Sequence, residues 1–460
     1  MRLPWPDLDR IRLQDLWDRL RSNYWFVPGV MTVGAGLLGV VVAELDQRYL
    51  DEIPVVAPFL YGASAEGARA VLSTIAGSMI TVAGVSFSVV LVALSQSASM
   101  FGPRLLPNFM RDRGNQVALG TFVATFVYCV TLLVRVRGAG EEGVQFVPRL
   151  GVALALVLAL ASVAVLIFFL HHAATSIQAG QVLRVAGESL DRALDRVFPE
   201  LGEGGGTGGA ERTGEDLPAP AEPRATVRAR VSGYVTAIDE ESLAEWAEET
   251  GVDLRLRIGV GSYLVAGSPV ADVGPVERAS QEVQEAVQAE LVVSGDRGGP
   301  RDVLHRVDQL VEIAVRALSP GVNDPLTAVH CVDRLTASLA RMVADREIPA
   351  PARFDDRGRL RVRAEPLSRE SVVERAFAMI RHYGAEDPVV PRKILASLSL
   401  LGELTRDEGL LSCLEAQAEW VREAALAGLR VQGDRDRVES RYRKTMEILG
   451  TRRGKSSEGS

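Results

Sequence analysis

The sequence predicts an α-helical membrane domain of four transmembrane helices, followed by a mixed, mainly α cytosolic region with a small β-rich subdomain. Three observations predict it. Apolar residues, 47% of the 460, crowd into residues 24–172, while 173–460 is charged and rich in arginine. Four segments, about 25–44, 70–95, 116–135 and 149–171, are apolar over the length of roughly 20 residues that crosses about 30 Å of hydrocarbon. From about 225 to 275 the apolar period shortens to that of strands.

Residues 1–23 read as an interfacial amphipathic helix, with Leu13, Leu16, Trp17 and Leu20 on one face. Tyr24, Trp25 and Phe26 follow as an aromatic anchor. A cleaved signal peptide does not fit: the first apolar run starts late, and no small-residue cleavage site precedes "AELDQRYLDE". The first span is rich in glycine (Gly29, Gly34, Gly36, Gly39), and the fourth is the most oily. Four such segments separated by short polar loops weigh against the buried core helices of a soluble protein. Arg2, Arg10, Arg12, Arg19 and Arg21 precede span one, and Arg104, Arg111 and Arg113 follow span two. By the positive-inside bias both termini are expected in the cytoplasm, in a multi-pass protein of the inner cell membrane.

Span two, "STIAGSMITVAGVSFSVVLVALSQSAS", has no charge but many hydroxyls. Thr74, Ser78, Thr81, Ser88, Ser95 and Ser99 are separated by 4, 3, 7, 7 and 4 residues, and Val85 and Val92 fill the missing steps. Such steps keep residues on one helix face. Two readings stay open. Small hydroxyl residues let helices approach closely, or the stripe lines a water-filled path in an oligomer, with Val85 and Val92 as constrictions that dewet. The lack of an ionisable residue argues against a proton-coupled pump.

After span two, Gly102, Pro103 and Pro107 break the helix, leaving either a plain anchor or a coupling loop. His171 and His172 end span four as interface anchors; neighbours on a helix diverge too widely for a metal pair. Residues 173–199 continue as a juxtamembrane helix, and 200–224 form a flexible linker without the G-K-[ST] of a phosphate loop.

The β-rich segment 225–275 resembles the barrel-sandwich domains of biotinyl and lipoyl carriers, through Gly259, Gly261, Gly267 and Pro269 at its turns. Those carriers hold their group on a lysine, and this segment has none, so a packing or assembly role remains. Residues 276–450 read as a helical domain with a hairpin near 352–363 and closing helices at about 368–383, 391–404, 408–429 and 435–449. The tail 451–460 is expected to be disordered.

Within the helical domain, "ALSPGVNDPLTAVHCVDRL" spells a helix–turn–helix corner. Pro320 and Gly321 stop one helix, Asn323 closes the turn through its side chain, Asp324 caps the next and Pro325 takes its first position. A contact site would instead use Asn323, Asp324 and His330 facing a cleft.

A net charge of −8 argues against nucleic-acid binding. Three scattered cysteines give neither a disulfide framework nor a zinc site. No nucleophile–base pair is legible, so no enzymatic activity, catalytic residue, cofactor or metal is expected. The expected partners are the lipid bilayer and further copies of the chain; no protein partner is indicated.

The segments "STIAGSMITVAGVSFSVVLVALSQ", "FGPRLLPNFMRDRGNQVALGTFVATFVY", "SGYV" and "ALSPGVNDPLTA" resemble a family of predicted bacterial integral membrane proteins catalogued as a domain of unknown function. The resemblance implies four spans and a cytosolic region, and brings no activity or ligand. It also implies an R-T-x-x-Q-D-like stretch before a long helix, from which "SGDRGGPRDVLHRVDQ" departs. The expected function is that of an oligomeric channel-like or membrane-sensing protein with a cytosolic regulatory region. The alternative is a membrane-anchored interaction scaffold without transport.

Overall fold

A computed structural model describes residues 25–49, 64–101, 112–138, 146–176, 179–199, 225–344, 346, 352–355, 357–364 and 367–457. The expected interfacial helix at 1–23, the proline-broken loop after span two and the linker 200–224 lie outside these residues. The chain divides into two compact units, Met1–Gln181 and Val182–Ser460.

The first unit is a bundle of four helices, each long and apolar enough to cross a membrane. They are α1 (Phe26–Tyr49), α2 (Ala65–Phe101), α3 (Arg113–Leu133) and α4 (Arg149–Ser176). α3 packs against the other three and is the central helix. Its apolar stretch is 50% buried, against 22% for each of the others. Close approach rests on small residues, as membrane helices require. A Cβ on Gly120 would fall 2.6 Å from Met31 Sδ and 3.2 Å from Pro28 Cα. Leu72, Ile75 and Met79 of α2 share a core with Phe122, Cys129 and Leu132 of α3 and Phe169 of α4.

α2 is longer than expected at both ends. Its 37 residues extend about 55 Å at 1.5 Å per residue, well beyond the thickness of a hydrocarbon core. Buried positions recur from Ala65 to Ser86, and none occurs from 87 to 96. This stretch of α2 packs more loosely, Val90 still meeting the edge of the bundle core.

The second unit begins with α5 (Ala179–Val197), which buries Leu183, Ala186, Leu190 and Leu194. Its β-rich part contains β1 (Ala225–Arg228), β2 (Gly233–Ile238), α6 (Glu240–Thr250), β3 (Asp253–Leu256), β4 (Tyr263–Leu264), β5 (Pro269–Gly274), α7 (Gln281–Ala289) and β6 (Leu291–Ser294). Helices α8 (Val303–Ala317) and α9 (Pro325–Val343) follow, then the hairpin β7 (Ala352–Phe354) and β8 (Leu360–Arg363). The chain closes with α10 (Arg369–Tyr383), α11 (Val390–Leu404), α12 (Glu408–Gly428) and α13 (Gln432–Ser457).

The strands form two open sheets in place of a barrel-sandwich. One has the order β1-β5-β3-β8-β7 and the other β4-β2-β6. The hairpin expected in the helical domain joins the first sheet, because β8 runs parallel to β3, with Leu254 beside Val362. Val227, Leu254, Val270 and Val273 of this sheet share a core with Leu243 of α6 and Val283 and Val287 of α7.

The tail expected to be disordered continues α13 to Ser457. Arg452 donates to the Glu403 carbonyl, and Arg453 pairs with Glu415 at 3.1 Å. Both contacts hold the last turns against α11 and α12.

Candidate functional site

The hydroxyl stripe of α2 faces outward from the bundle. Thr74, Ser78, Thr81, Val85, Ser88, Val92 and Ser95 are all exposed, while the opposite face, with Leu72, Ile75, Met79 and Ala83, is buried. Ser99 lies on the same helix, and its side chain is outside the described residues. Gly77 and Gly84 have no atom within 4 Å of where a Cβ would stand, so the face is smooth and open. Among the described residues, no side chain packs on the glycines of the stripe. Thr74 Oγ1 donates to the Ala70 carbonyl at 2.7 Å, Thr81 Oγ1 to Gly77 at 2.8 Å and Ser88 Oγ to Gly84 at 3.0 Å. Each of these hydroxyls spends its proton on its own helix and keeps oxygen lone pairs free. The exposed face of α4 is different in kind: Leu156, Val157, Leu160, Val163 and Ile167 are bulky and apolar, as contact with lipid requires.

Polar bonds hold the rest of the bundle in register. Asp46 accepts from the backbone N–H groups of Leu150 and Gly151 at 3.1 and 2.9 Å, capping α4 from α1. Tyr128 Oη donates to the Gly151 carbonyl at 3.1 Å, and Thr125 and Ser162 hydroxyls meet at 3.1 Å. His172 does more than anchor an interface. Its Nε2 lies 2.7 Å from the carboxylate of Asp112, the N-cap of α3, and its ring stacks on Phe168.

The second expected site, the corner between α8 and α9, forms a tight turn. Asp324 accepts from Thr327 N at 3.1 Å and Thr327 Oγ1 at 2.6 Å, and Pro325 starts α9. These bonds, the hydroxyl first, hold the Asp324 carboxyl below the usual carboxylate range. Asn323 closes the turn by a different route from the one expected. It adopts a left-handed backbone, φ 49°, and its N–H donates to the Ser319 carbonyl at 2.9 Å. Pro320, Asn323 and His330 are exposed around this turn.

A third constellation gathers residues of the stretch "SGDRGGPRDVLHRVDQ" around Arg375, which no spacing in the sequence joins to it. Arg297 grips Asp302 through two bonds of 2.8 and 3.1 Å and reaches Asp308 at 3.2 Å. Arg375 of α10 holds the other side of Asp308 at 2.5 and 2.9 Å. Asp302 also caps α8, accepting from His305 N at 2.9 Å. Gly261, with φ +92°, admits this carboxylate: a Cβ there would lie 2.9 Å from both oxygens. Asp302, His305, Asp308 and Gln309 are all buried. Burial, and then the nearby Arg306, push the His305 imidazole below its ordinary value. The network ties the β-rich part to α8 and α10, and buried pairs of this kind are weak evidence for added stability. Among the described residues, no group of three His, Cys, Asp or Glu is arranged to hold a metal.

α5 connects to this framework by ion pairs. Asp191 accepts from Arg334 of α9 and from Ser338 Oγ at 2.6 Å, and Asp195 pairs with Arg341 and Arg346, both at 2.9 Å. α4 ends at Ser176 and α5 begins at Ala179, so span four is joined within a few residues to a helix locked onto α9.

A family model described as predicted membrane protein (DUF2254) matches residues 21–399. Uncharacterized protein MT1328 of Mycobacterium tuberculosis (strain CDC 1551 / Oshkosh) is 29% identical over 448 residues, covering 95% of this chain and 83% of the relative. Uncharacterized protein Mb1321c of Mycobacterium bovis matches with the same identity and coverage. No solved structure matches the chain.

Proposed function

Because the chain belongs to the DUF2254 family of predicted membrane proteins, we propose that it is an oligomeric, channel-like protein of the inner membrane. In this reading copies meet along α2, and the hydroxyl stripe lines a narrow path for water and small cations. The observation that carries it is the outward, glycine-smoothed face of α2, where hydroxyls give their protons to their own backbone and present oxygen. Outward oxygen suits cations, and Val85 and Val92 supply rings that dewet and close. Both termini lie in the cytoplasm, by the arginines beside spans one and two. The region after span four then acts as a regulatory body, its motion passed to α4 through α5.

Ion flux through liposomes containing the purified protein tests conduction, under voltage and under hypo-osmotic shock. Ser88→Lys places a cation in the middle of the stripe and is expected to suppress cation flux while the oligomer persists. Ser88→Cys, in a Cys413→Ser background, is expected to cross-link into a dimer on oxidation. Cross-linking without flux under any stimulus would favour the second reading, a membrane-anchored scaffold that packs α2 on α2. Absence of both would remove α2 from the contact altogether.

A further inference from the structure

The chain has three lysines, Lys393, Lys444 and Lys455, and two of them line one cleft. This cleft, about 610 Å³, lies between α11 and α13. α11 contributes Arg392 and Lys393, within its first turn; α13 contributes Asp436, Arg437, Arg441 and Lys444. On α13, steps of three and four put Arg437, Arg441 and Lys444 on one helix face.

The charges are unbalanced. Lys393 pairs with Asp333, and Arg437 with Asp434 at 3.1 Å. Asp436, the acid in the lining, accepts from Gln432 at 2.8 Å. Arg392, Arg441 and Lys444 have no carboxylate partner among the described residues, and Arg441 Nε is buried without an acceptor.

Backbone geometry places the cleft. Thr445 Oγ1 donates to the Leu395 carbonyl, Leu449 packs on Gly402, and Arg452 reaches Glu403. Both numbers rise together, so α11 and α13 run parallel. The cleft opens beside the first turn of α11, where Asp387 already accepts from the N–H groups of Val389 and Val390 at 2.8 and 3.0 Å, so the side chains carry the anion site.

We propose that this cleft binds the phosphate of an anionic ligand, either a phosphorylated small molecule or a phospholipid headgroup. Arg441 and Arg392 supply forked donors and Lys444 a point charge. The volume accommodates a ligand well beyond a single phosphate.

The test uses the full chain in phosphatidylcholine nanodiscs, with two probes. Inorganic pyrophosphate is titrated by calorimetry, and capture is measured on phosphatidylcholine vesicles with and without phosphatidylglycerol. The comparison is with Arg392→Gln/Lys444→Gln, neither residue being buried, and with Arg443→Gln, which leaves the lining intact. Pyrophosphate binding is expected to weaken by about tenfold or more in the double variant, through lost charge-assisted bonds, and to stay unchanged in Arg443→Gln. Loss confined to phosphatidylglycerol vesicles identifies a headgroup as the source of the phosphate. If the wild type binds neither probe, or the double variant binds both probes as well as the wild type, the proposal is overturned. Each single substitution, checked by an unchanged melting temperature, guards against a folding defect in the pair.

Discussion

At the scale of single residues, the local grammar is legible and the long-range chemistry is not. Asp324 and Pro325 declare their roles because a cap and a first-turn proline act within three residues. Asp324→Ala is expected to cost about 1 kcal/mol, read as a lower melting temperature of the full chain in detergent. Arg375 declares nothing in the sequence, because it reaches Asp308 across 67 positions, whereas Asp302 caps α8 as locally as Asp324 caps α9. His305 carries the pH consequence of that network. Its folded value is lowered, so below the ordinary imidazole value of about 6.5 the unfolded chain binds a proton that the folded chain resists. Stability is complete above that value and falls as the pH drops toward the folded one. Melting curves at about pH 7.5 and 5.5 are expected to separate for the wild type, and to move closer together for His305→Gln.

At the scale of elements, helices survive the passage from sequence to structure better than sheets. The first three closing helices are legible to within a residue, since the period of three to four is written locally. The sheets are not, because β3 pairs with β8 more than a hundred residues later, and strand partners carry no sequence signal of their own. The C-terminal extension of α13 is hidden for a related reason: a polar, lysine- and arginine-bearing tail looks unstructured until its contacts appear. Deleting 451–460 removes the Arg452 and Arg453 contacts and is expected to lower stability by about 1 kcal/mol. Denaturant titration of the full and the shortened chain, side by side, measures the difference. In the bundle, Gly120→Val pushes a side chain against Pro28 Cα and is expected to cost about 1–3 kcal/mol by overpacking. Reduced yield of folded protein in detergent would register it.

At the scale of the whole molecule, the division into an apolar and a charged unit is written in composition, and the structure divides the chain near the same place, after Gln181. The exposed stripe is half legible. Its periodicity is visible, but which side of α2 it occupies depends on the packing of α3, which no spacing within α2 encodes. The orientation across the membrane rests on arginine counts alone. A green fluorescent protein fused after Ser460 is expected to fluoresce in intact cells, as it does when folded in the cytoplasm, and a dark fusion at normal expression would invert the topology.

The central position of α3 has a further consequence, one of biosynthesis. α3 is the least apolar of the four spans, with a mean hydropathy of 1.8 against 2.1, 2.1 and 3.0, so alone it enters lipid least readily. In synthesis it follows α1 and α2, whose Met31 and Leu72 pack with it in the folded bundle, and its insertion is expected to draw on them. α4, the most oily, follows it and is expected to insert unaided; in the folded bundle its Gly151 carbonyl takes the Tyr128 hydroxyl. The chain delivers its most dependent helix only after two of its hosts have been made, and shuts the door behind it with the one that can enter unaided.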